Sequence, residues 1–491
     1  MPGRILTLIA ALLVVGAVAV ALLGDDDGDE TAARTLPTIL QDDAELLHRP
    51  TEQVAATLDR LRALGVDWVR VTAGWSVIAP EPDSPERPDF DAADPEAYPD
   101  GAWAALDRVV ALARERGLEI NIDIAFWAPR WAVGRPSPEP DRQRWDVDPA
   151  AFADFAEAVA RRYPDVTAFT IWNEPNFKVF LLPQWRREGR RWVPASPHLY
   201  REMLMAAVPR IRAHSDALVL IGALAAVGNY RPDAPDDGVP PLRFLRELAC
   251  VDAELRPLDI PECAGFEPLP GDGFSHHPYS LGLPPWRPDP RPDNVRMGDL
   301  PRLVELLRRL HAAGRTEREL PVYVTEYGYE TNPPDPTQAT TPDEQATFLP
   351  AADRVAWETD GVASFAQFLL RDLGERDGRT ERERWGDYQS GLRFPDGRAK
   401  PAERAFAWSL AARAVEGGVS FWVHVRPARA PVRVRIARRD GERWVPVGDP
   451  FLTDAAGRAE RVLDVSDGAA YRLEVGRRGR WLAAPPVAVQ R

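Results

Sequence analysis

Two glutamates in this chain stand where a carboxylate does not serve solubility. Glu174 follows the apolar run Val166 to Trp172, in Ile171-Trp172-Asn173-Glu174-Pro175-Asn176, and the proline behind it halts regular structure. Glu326 follows Val322-Tyr323-Val324-Thr325 and precedes Tyr327-Gly328. A solvating glutamate is seldom flanked by Trp and Asn, or by Tyr and Gly. Each of these reads as a carboxylate placed where a buried strand emerges. Two such groups facing each other meet the needs of glycosidic cleavage: one protonates the leaving oxygen, the other attacks or activates water. A metal-dependent hydrolase would need His and Asp clusters at several strand ends. Only Ser275-His276-His277 offers histidine, and adjacent strand residues point to opposite faces. The sequence therefore predicts neither a metal nor a cofactor.

The elements that must carry these residues alternate between two periods. Val54, Leu58, Leu61 and Leu64 recur at helical spacing, Gly65 stops them, and the β-rich run Val66 to Val71 follows. The same grammar places strands at Leu118 to Ile124, Val166 to Trp172, Leu218 to Gly222, Gly273 to His276, Val322 to Thr325 and Val362 to Leu369. Thr341-Pro342, a capping hydroxyl followed by a first-turn proline, opens the last long helix. With a first strand at Thr38 to Gln41, the pattern predicts an α/β (β/α)8 barrel over 36–417, with Glu174 on the fourth strand and Glu326 on the seventh. A doubly wound sheet is disfavoured by the lack of a G-x-G-x-x-G or Walker loop after the first strands. Beyond Gly417 the period becomes two, in Ser420 to Val425, Val432 to Ile436 and Tyr471 to Val475, with turns at Asp440-Gly441 and Asp467-Gly468. This predicts a small antiparallel β-sandwich over 418–491.

Composition narrows the partners. The 491 residues carry 75 acidic against 61 basic groups, a net charge of −14, which argues against a nucleic-acid binder. The 16 tryptophans suit packing against sugar faces as well as core packing. Ile5 to Leu23 is an apolar run with Arg4 before it and Asp25, Asp26, Asp27, Asp29 and Glu30 behind it. Residues 1–24 read as a signal peptide or an N-terminal membrane anchor, with Ala19-Val20-Ala21 as a cleavage site in the first case, and 25–35 as an acidic linker. The membrane is met through that segment only, and the expected location is extracellular or at the cell surface. In such a compartment the only two cysteines, Cys250 and Cys263, can form a local disulfide; the alternative is two free buried thiols.

Trp172-Asn173-Glu174-Pro175 together with Thr325-Glu326-Tyr327-Gly328 resembles clan A of the glycoside hydrolases, most nearly the family 39 and family 5 (cellulase) type of barrel. Further fragments agree: Val69-Arg70-Val71 with Trp75-Ser76, Phe126 to Trp131, His276 to Ser280, Asp387 to Leu392 and Lys400-Pro401-Ala402, so the likeness spans 36–415. The resemblance implies a retaining enzyme acting on a poly- or oligosaccharide, with Glu174 as general acid/base and Glu326 as nucleophile. It implies that Asn173 meets the sugar's 2-hydroxyl, that Tyr279 or His277 lies beside the nucleophile, and that Arg70 keeps Glu326 ionised. One departure stands out. Clan members commonly carry a strand-eight Trp as the sugar platform, and Phe365-Ala366-Gln367-Phe368 has none, which brings in Trp127 as a substitute. The rival expectation is a non-catalytic, cell-surface carbohydrate-binding barrel, against which both glutamates argue.

Overall fold

The computed structural model describes residues 36–490. The apolar run at 5–23 and the acidic linker lie outside them. Among the described residues no helix is long and apolar enough to cross a membrane.

Eight parallel strands close into a barrel: β1 Thr38–Gln41, β2 Trp68–Gly74, β3 Glu119–Ala125, β4 Ala168–Ile171, β5 Leu218–Ala225, β6 Gly273–His277, β7 Val322–Val324 and β8 Val362–Phe368. A helix follows each: α1 Thr51–Leu64, α2 Ala104–Glu115, α3 Pro149–Arg162, α4 Ser196–Arg212, α5 Pro241–Leu248, α6 Leu300–Ala312, α7 Pro342–Glu358 and α8 Pro401–Ala407. The expected (β/α)8 architecture is therefore present. Its helices start where local chemistry says they should. The Asp148 carboxylate accepts from the amides of Ala150 and Ala151, with Pro149 in the first turn. Thr341 and Glu344 form a reciprocal capping box at the start of α7.

The second strand begins two positions later than the β-rich run at Val66 suggests. Gly65, at φ 78°, ends α1, and the Val66 amide turns back to the Leu61 carbonyl. Val66 thus belongs to the helix cap. Asp67 spends its carboxylate on the Thr38 amide at 2.8 Å, pinning the start of β1 beside β2.

Beyond the barrel lie two antiparallel sheets, β9 Trp408–Val415, β10 Gly418–Val425 and β13 Arg458–Leu463 in one, and β11 Arg433–Asp440, β12 Arg443–Leu452, β14 Ala470–Arg477, β15 Arg480–Ala483 and β16 Val487–Ala488 in the other. The first sheet starts at Trp408, ahead of the boundary at 418 that period two alone suggests. Trp408 to Val415 pairs with β10 along its whole length. Its run Leu410-Ala411-Ala412 is buried on both faces and so shows no alternation. The two sheets enclose their own core around Phe421, Tyr471, Val434 and Leu473.

The sandwich is locked to the barrel through α7. Asp353 is buried between the Arg426 guanidinium and His424, whose Nδ1 lies 3.1 Å away. Arg354, also buried, donates to the Ser420 hydroxyl at 3.0 Å. Burial raises the cost of the Asp353 charge, but Arg426 and His424 outweigh it and hold the carboxyl at about 2. A buried pair contributes little net stability, yet losing one partner strands the other. Asp353→Ala is expected to cost about 3–5 kcal/mol in urea unfolding, whereas breaking the solvent-exposed pair Arg308–Asp360 should leave the midpoint nearly unmoved.

Cys250 and Cys263 are bonded, with Cα atoms 5.6 Å apart, in the segment between α5 and β6. Closing so short a loop is worth about 3 kcal/mol on the chain-entropy view. Thiol titration of the denatured, unreduced chain should find no free sulfhydryl. Cys250→Ser with Cys263→Ser should lower stability by up to that amount.

Candidate active site

The barrel's inner wall carries charge where an ordinary core would be apolar. Arg70 on β2 and Asp123 on β3 are both fully buried, with Nη2 and Oδ2 2.8 Å apart. The second arm of Arg70 reaches across the barrel to Glu326 Oε1 at 2.5 Å, also meets the Gln41 amide oxygen, and Nη2 donates to Asn173 Oδ1 at 3.1 Å. One guanidinium thus ties β1, β2, β3, β4 and the end of β7 together. Burial works against its charge, but Asp123 and Glu326 more than compensate, so Arg70 stays cationic.

Glu174 is positioned by a strained backbone. Trp172 and Glu174 adopt φ of 61° and 39°, a left-handed conformation unfavourable for side chains of this size. Neighbours hold it in place. The Trp172 ring is buried and donates Nε1 to the Phe180 carbonyl, while the Glu174 amide bonds the Ala223 carbonyl on β5. Asn176 binds the Ala225 amide and the Ala225 and Val239 carbonyls, fastening the loop after β4 to the end of β5. Its place is that of a loop-shaping residue.

The two carboxyls converge. An oxygen of Glu174, a ring nitrogen of His277 and an oxygen of Glu326 all lie within 4.8 Å of one another. His277 Nδ1 is 3.0 Å from Glu174 Oε1 and 3.6 Å from Glu326 Oε2. Its Nε2 is 3.1 Å from the Thr325 hydroxyl, itself 2.6 Å from Ser275. Tyr279 donates its hydroxyl to Glu326 Oε2 at 3.1 Å. Burial, then the Arg70 charge, push the His277 pKa well down, so its imidazole is neutral. His276 points the other way, with Nε2 against the Val295 carbonyl, as strand alternation requires.

The environments separate the two acids. Burial raises Glu326, while the Arg70 charge and the bonds from Arg70 and Tyr279 pull it back without overcoming burial. Glu174 is raised further: burial and then the charge of Glu326 both push it up, and the Arg70 charge opposes them without the hydrogen bonds that Glu326 receives. Glu326 is therefore the first to ionise and Glu174 the one that keeps its proton, which suits a nucleophile and an acid. The same donor triad has the spacing to hold a cation, but the Arg70 guanidinium already occupies the Glu326 carboxylate and would repel one. The other such cluster, His198 with Cys250 and Cys263, has its sulfurs bonded to each other.

Above the pair opens a cavity of about 590 Å³. Asn173, Glu174, Tyr279 and Glu326 line it; Arg70 and His277 support it from below. Trp127 does not line it. Its Nε1 is spent on the Val179 carbonyl at 2.7 Å and Arg142 covers its ring at 4.8 Å. The adjacent Phe126 faces the cavity instead, and Phe368, at the end of β8, lines it where a strand-eight Trp was missed. No tryptophan is among the described lining residues; Trp75, Trp172, Trp185 and Trp422 are core. Asp123, Gln41, Thr325 and Tyr388 also belong to the site, and no motif assigns them a role there. Asn121 and Asp123 did carry a signal, being polar groups two apart on one face of an otherwise apolar strand.

No family model matches the chain, and no curated protein does. Solved structures do. A family 39 glycoside hydrolase from the gut symbiont Bacteroides cellulosilyticus superposes with a TM-score of 0.53 at 15% identity, covering 88% of this chain and 81% of that one. The chain has the barrel fold of the clan A glycoside hydrolases. More distant are GH5_18 from Streptomyces cattleya, solved in complex with GlcNAc (TM-score 0.48, 19% identity, 76% of this chain and 79% of that one), and a glucosidase from Croceicoccus marinus (0.47, 16%, 86% and 91%).

The asymmetry predicts a pH response. If the pair acts with Glu326 ionised and Glu174 protonated, activity rises as the first deprotonates and falls as the second does. Both limbs should lie above the range of an ordinary exposed glutamate. Tyr279→Phe removes a bond that favours ionised Glu326; the acid limb of kcat/KM should move to higher pH and the alkaline limb stay.

Proposed function

We propose that the chain is an exported retaining glycosidase that hydrolyses O-glycosidic bonds by double displacement. The observation that carries this reading is the approach of Glu174 and Glu326 oxygens to within 4.8 Å. A covalent route needs carboxyls about 5–5.5 Å apart, whereas inversion needs about 6.5–9.5 Å to admit a water between them.

In the first step Glu326, ionised and oriented by Arg70 and Tyr279, attacks the anomeric carbon. The bond to the leaving oxygen breaks, and that oxygen takes the proton of Glu174. In the second step Glu174, now a carboxylate, removes a proton from water, whose oxygen displaces Glu326 and releases the sugar. Neutral His277 beside Glu174 Oε1 can accept or donate a hydrogen bond, and so accommodates both protonation states without adding charge. Asn173 accepts from Arg70 through Oδ1 and lines the cavity, where its amide nitrogen can donate to the sugar hydroxyl next to the anomeric carbon.

The Cys250–Cys263 bond supports export, since such bonds persist in oxidising compartments. The expectation of a poly- or oligosaccharide concerns both sides of the scissile bond; the polar groups around Glu326 support a sugar on the nucleophile's side.

The test is a panel of aryl glycosides with product analysis by NMR. The first-formed product should keep the substrate's anomeric configuration, and an inverted product would rule out the mechanism. Glu326→Ala should lose at least about 10³-fold in kcat, with partial rescue by azide and an azide adduct of opposite configuration. Glu174→Ala should depress poor leaving groups far more than activated aryl ones.

A further inference from the structure

The cavity wall has two chemically distinct arcs, and the barrel order fixes which element supplies each. Strands β3 to β6 are consecutive neighbours, as are β7, β8, β1 and β2 on the other side. The loops after β3, β4, β5 and β6 contribute Phe126, Phe177, Phe180, Val227 and Leu281, with Ala225 and Ala226 between them. Phe126 and Phe180 pack with ring centroids 4.7 Å apart, and Phe177 continues the row 6.4 Å from Phe180. Leu281 is 60% and Phe177 36% exposed at the rim, so the apolar surface runs from the cavity out to its mouth. The polar side chains lining this arc are Asn173, Glu174 and Tyr279, all part of the site. Asn176 is spent on backbone groups and offers nothing. With Gln41 engaged by Arg70 and Ser390 by the Phe368 carbonyl, the opposite arc mixes the apolar Phe368, Leu369 and Leu373 with Asp43, Glu330, Gln338 and Thr340, whose polar groups can bond hydroxyls.

Chemistry assigns the arcs. The transferred sugar is held by Glu326 at the end of β7, on the polar side. The leaving oxygen is protonated by Glu174, whose own loop carries Phe177 and Phe180. A leaving group therefore meets the apolar arc. A further sugar there would lose water from its hydroxyls without side chains to replace it. The charge of the lining is equally one-sided. Asp43, Glu174, Glu326 and Glu330 bear carboxyls, and no Arg, Lys or His is among the described lining residues. A uronate, sulfate or phosphate on the sugar would face these groups with no cation to receive it.

We propose that the natural substrate is a glycoside of an uncharged sugar whose leaving group is apolar, an alkyl chain or a fused hydrocarbon ring system, rather than a longer saccharide. This rests on the glycosidase reading above and names the substrate class of that site.

The experiment takes the sugar released fastest in the aryl panel and compares two series carrying it: n-alkyl glycosides from methyl to octyl, kept below micelle formation, and oligosaccharides with one to four sugar units beyond the scissile bond. The expected result is a kcat/KM that rises about threefold to fourfold per methylene over at least four carbons, since each buried methylene is worth about that factor, and stays flat with added sugars. Phe177→Ser and Leu281→Ser, both at exposed positions, should each lower the octyl-to-methyl ratio several-fold. In the panel itself a glucuronide should react at least about 100-fold more slowly than the matching glucoside. A flat alkyl series with a rise on adding sugar units, or a uronide as the best substrate, would overturn the proposal and leave the glycosidase standing. Failure of every aryl glycoside to release sugar would overturn the glycosidase reading, and this inference with it.

Discussion

The buried guanidinium of Arg70 is the interaction on which the site depends. A lone cation in a barrel core costs several kcal/mol, and here Asp123 and Glu326 offset it from two sides. The arrangement explains why a fully enclosed barrel tolerates so many polar residues. Gln41, Asp123, Asn173 and Glu326 sit on different strands or strand ends, and each is held through the same group. It also sets the charge state of the chemistry. The positive charge is nearest to Glu326, so that carboxyl ionises first, and its negative charge then helps Glu174 to keep a proton.

Around that centre the fold supplies rigidity by different means on different sides. In the loop after β4, Trp172 and Glu174 are held in a left-handed conformation by the Trp172 ring, Asn176 and the neighbouring β5, which places the Glu174 carboxyl without a helix or strand to carry it. On the far side α7 is fastened to the sandwich by Asp353, Arg426 and His424. The same helix reaches the loops after β7 and β8 through Gln345, whose amide donates to the carbonyls of Tyr329, Ser390 and Gly391. The sandwich thereby braces the part of the cavity wall that faces Glu326. A second buried pair, Lys400 with Asp372, takes the Thr331 hydroxyl and the Gln389 carbonyl and fixes those two loops to each other.

The cavity inverts the usual appearance of a sugar site. Its aromatic residues are phenylalanines and tyrosines; among the described lining residues there is no tryptophan, with Trp75, Trp172, Trp185 and Trp422 packed into cores and Trp127 and Trp131 bonded to loop carbonyls. A Trp count reports aromatic content and says nothing of which faces remain open.

The eight strands and their order were legible in the sequence, because helical and strand periods differ and glycine and proline punctuate them. So were the two glutamates, which stand out as charges closing apolar runs, and the cysteine pair, which is local. Three things were decided only by tertiary structure. Arg70 and Asp123 become partners because β2 and β3 are neighbours in register, with Arg70 opposite Asn121 and Thr72 opposite Asp123, and spacing along the chain does not show which way a buried charge turns. Phe126 takes the place expected of Trp127 because the Trp127 ring is held by the Val179 carbonyl, 52 residues along the chain, and by Arg142. Trp408 to Val415 joins the sandwich although it lacks alternation, since a strand covered on both faces has no polar side to reveal it. In each case the deciding quantity is which side chains are brought together across the barrel or between layers, and that depends on contacts far apart in the chain.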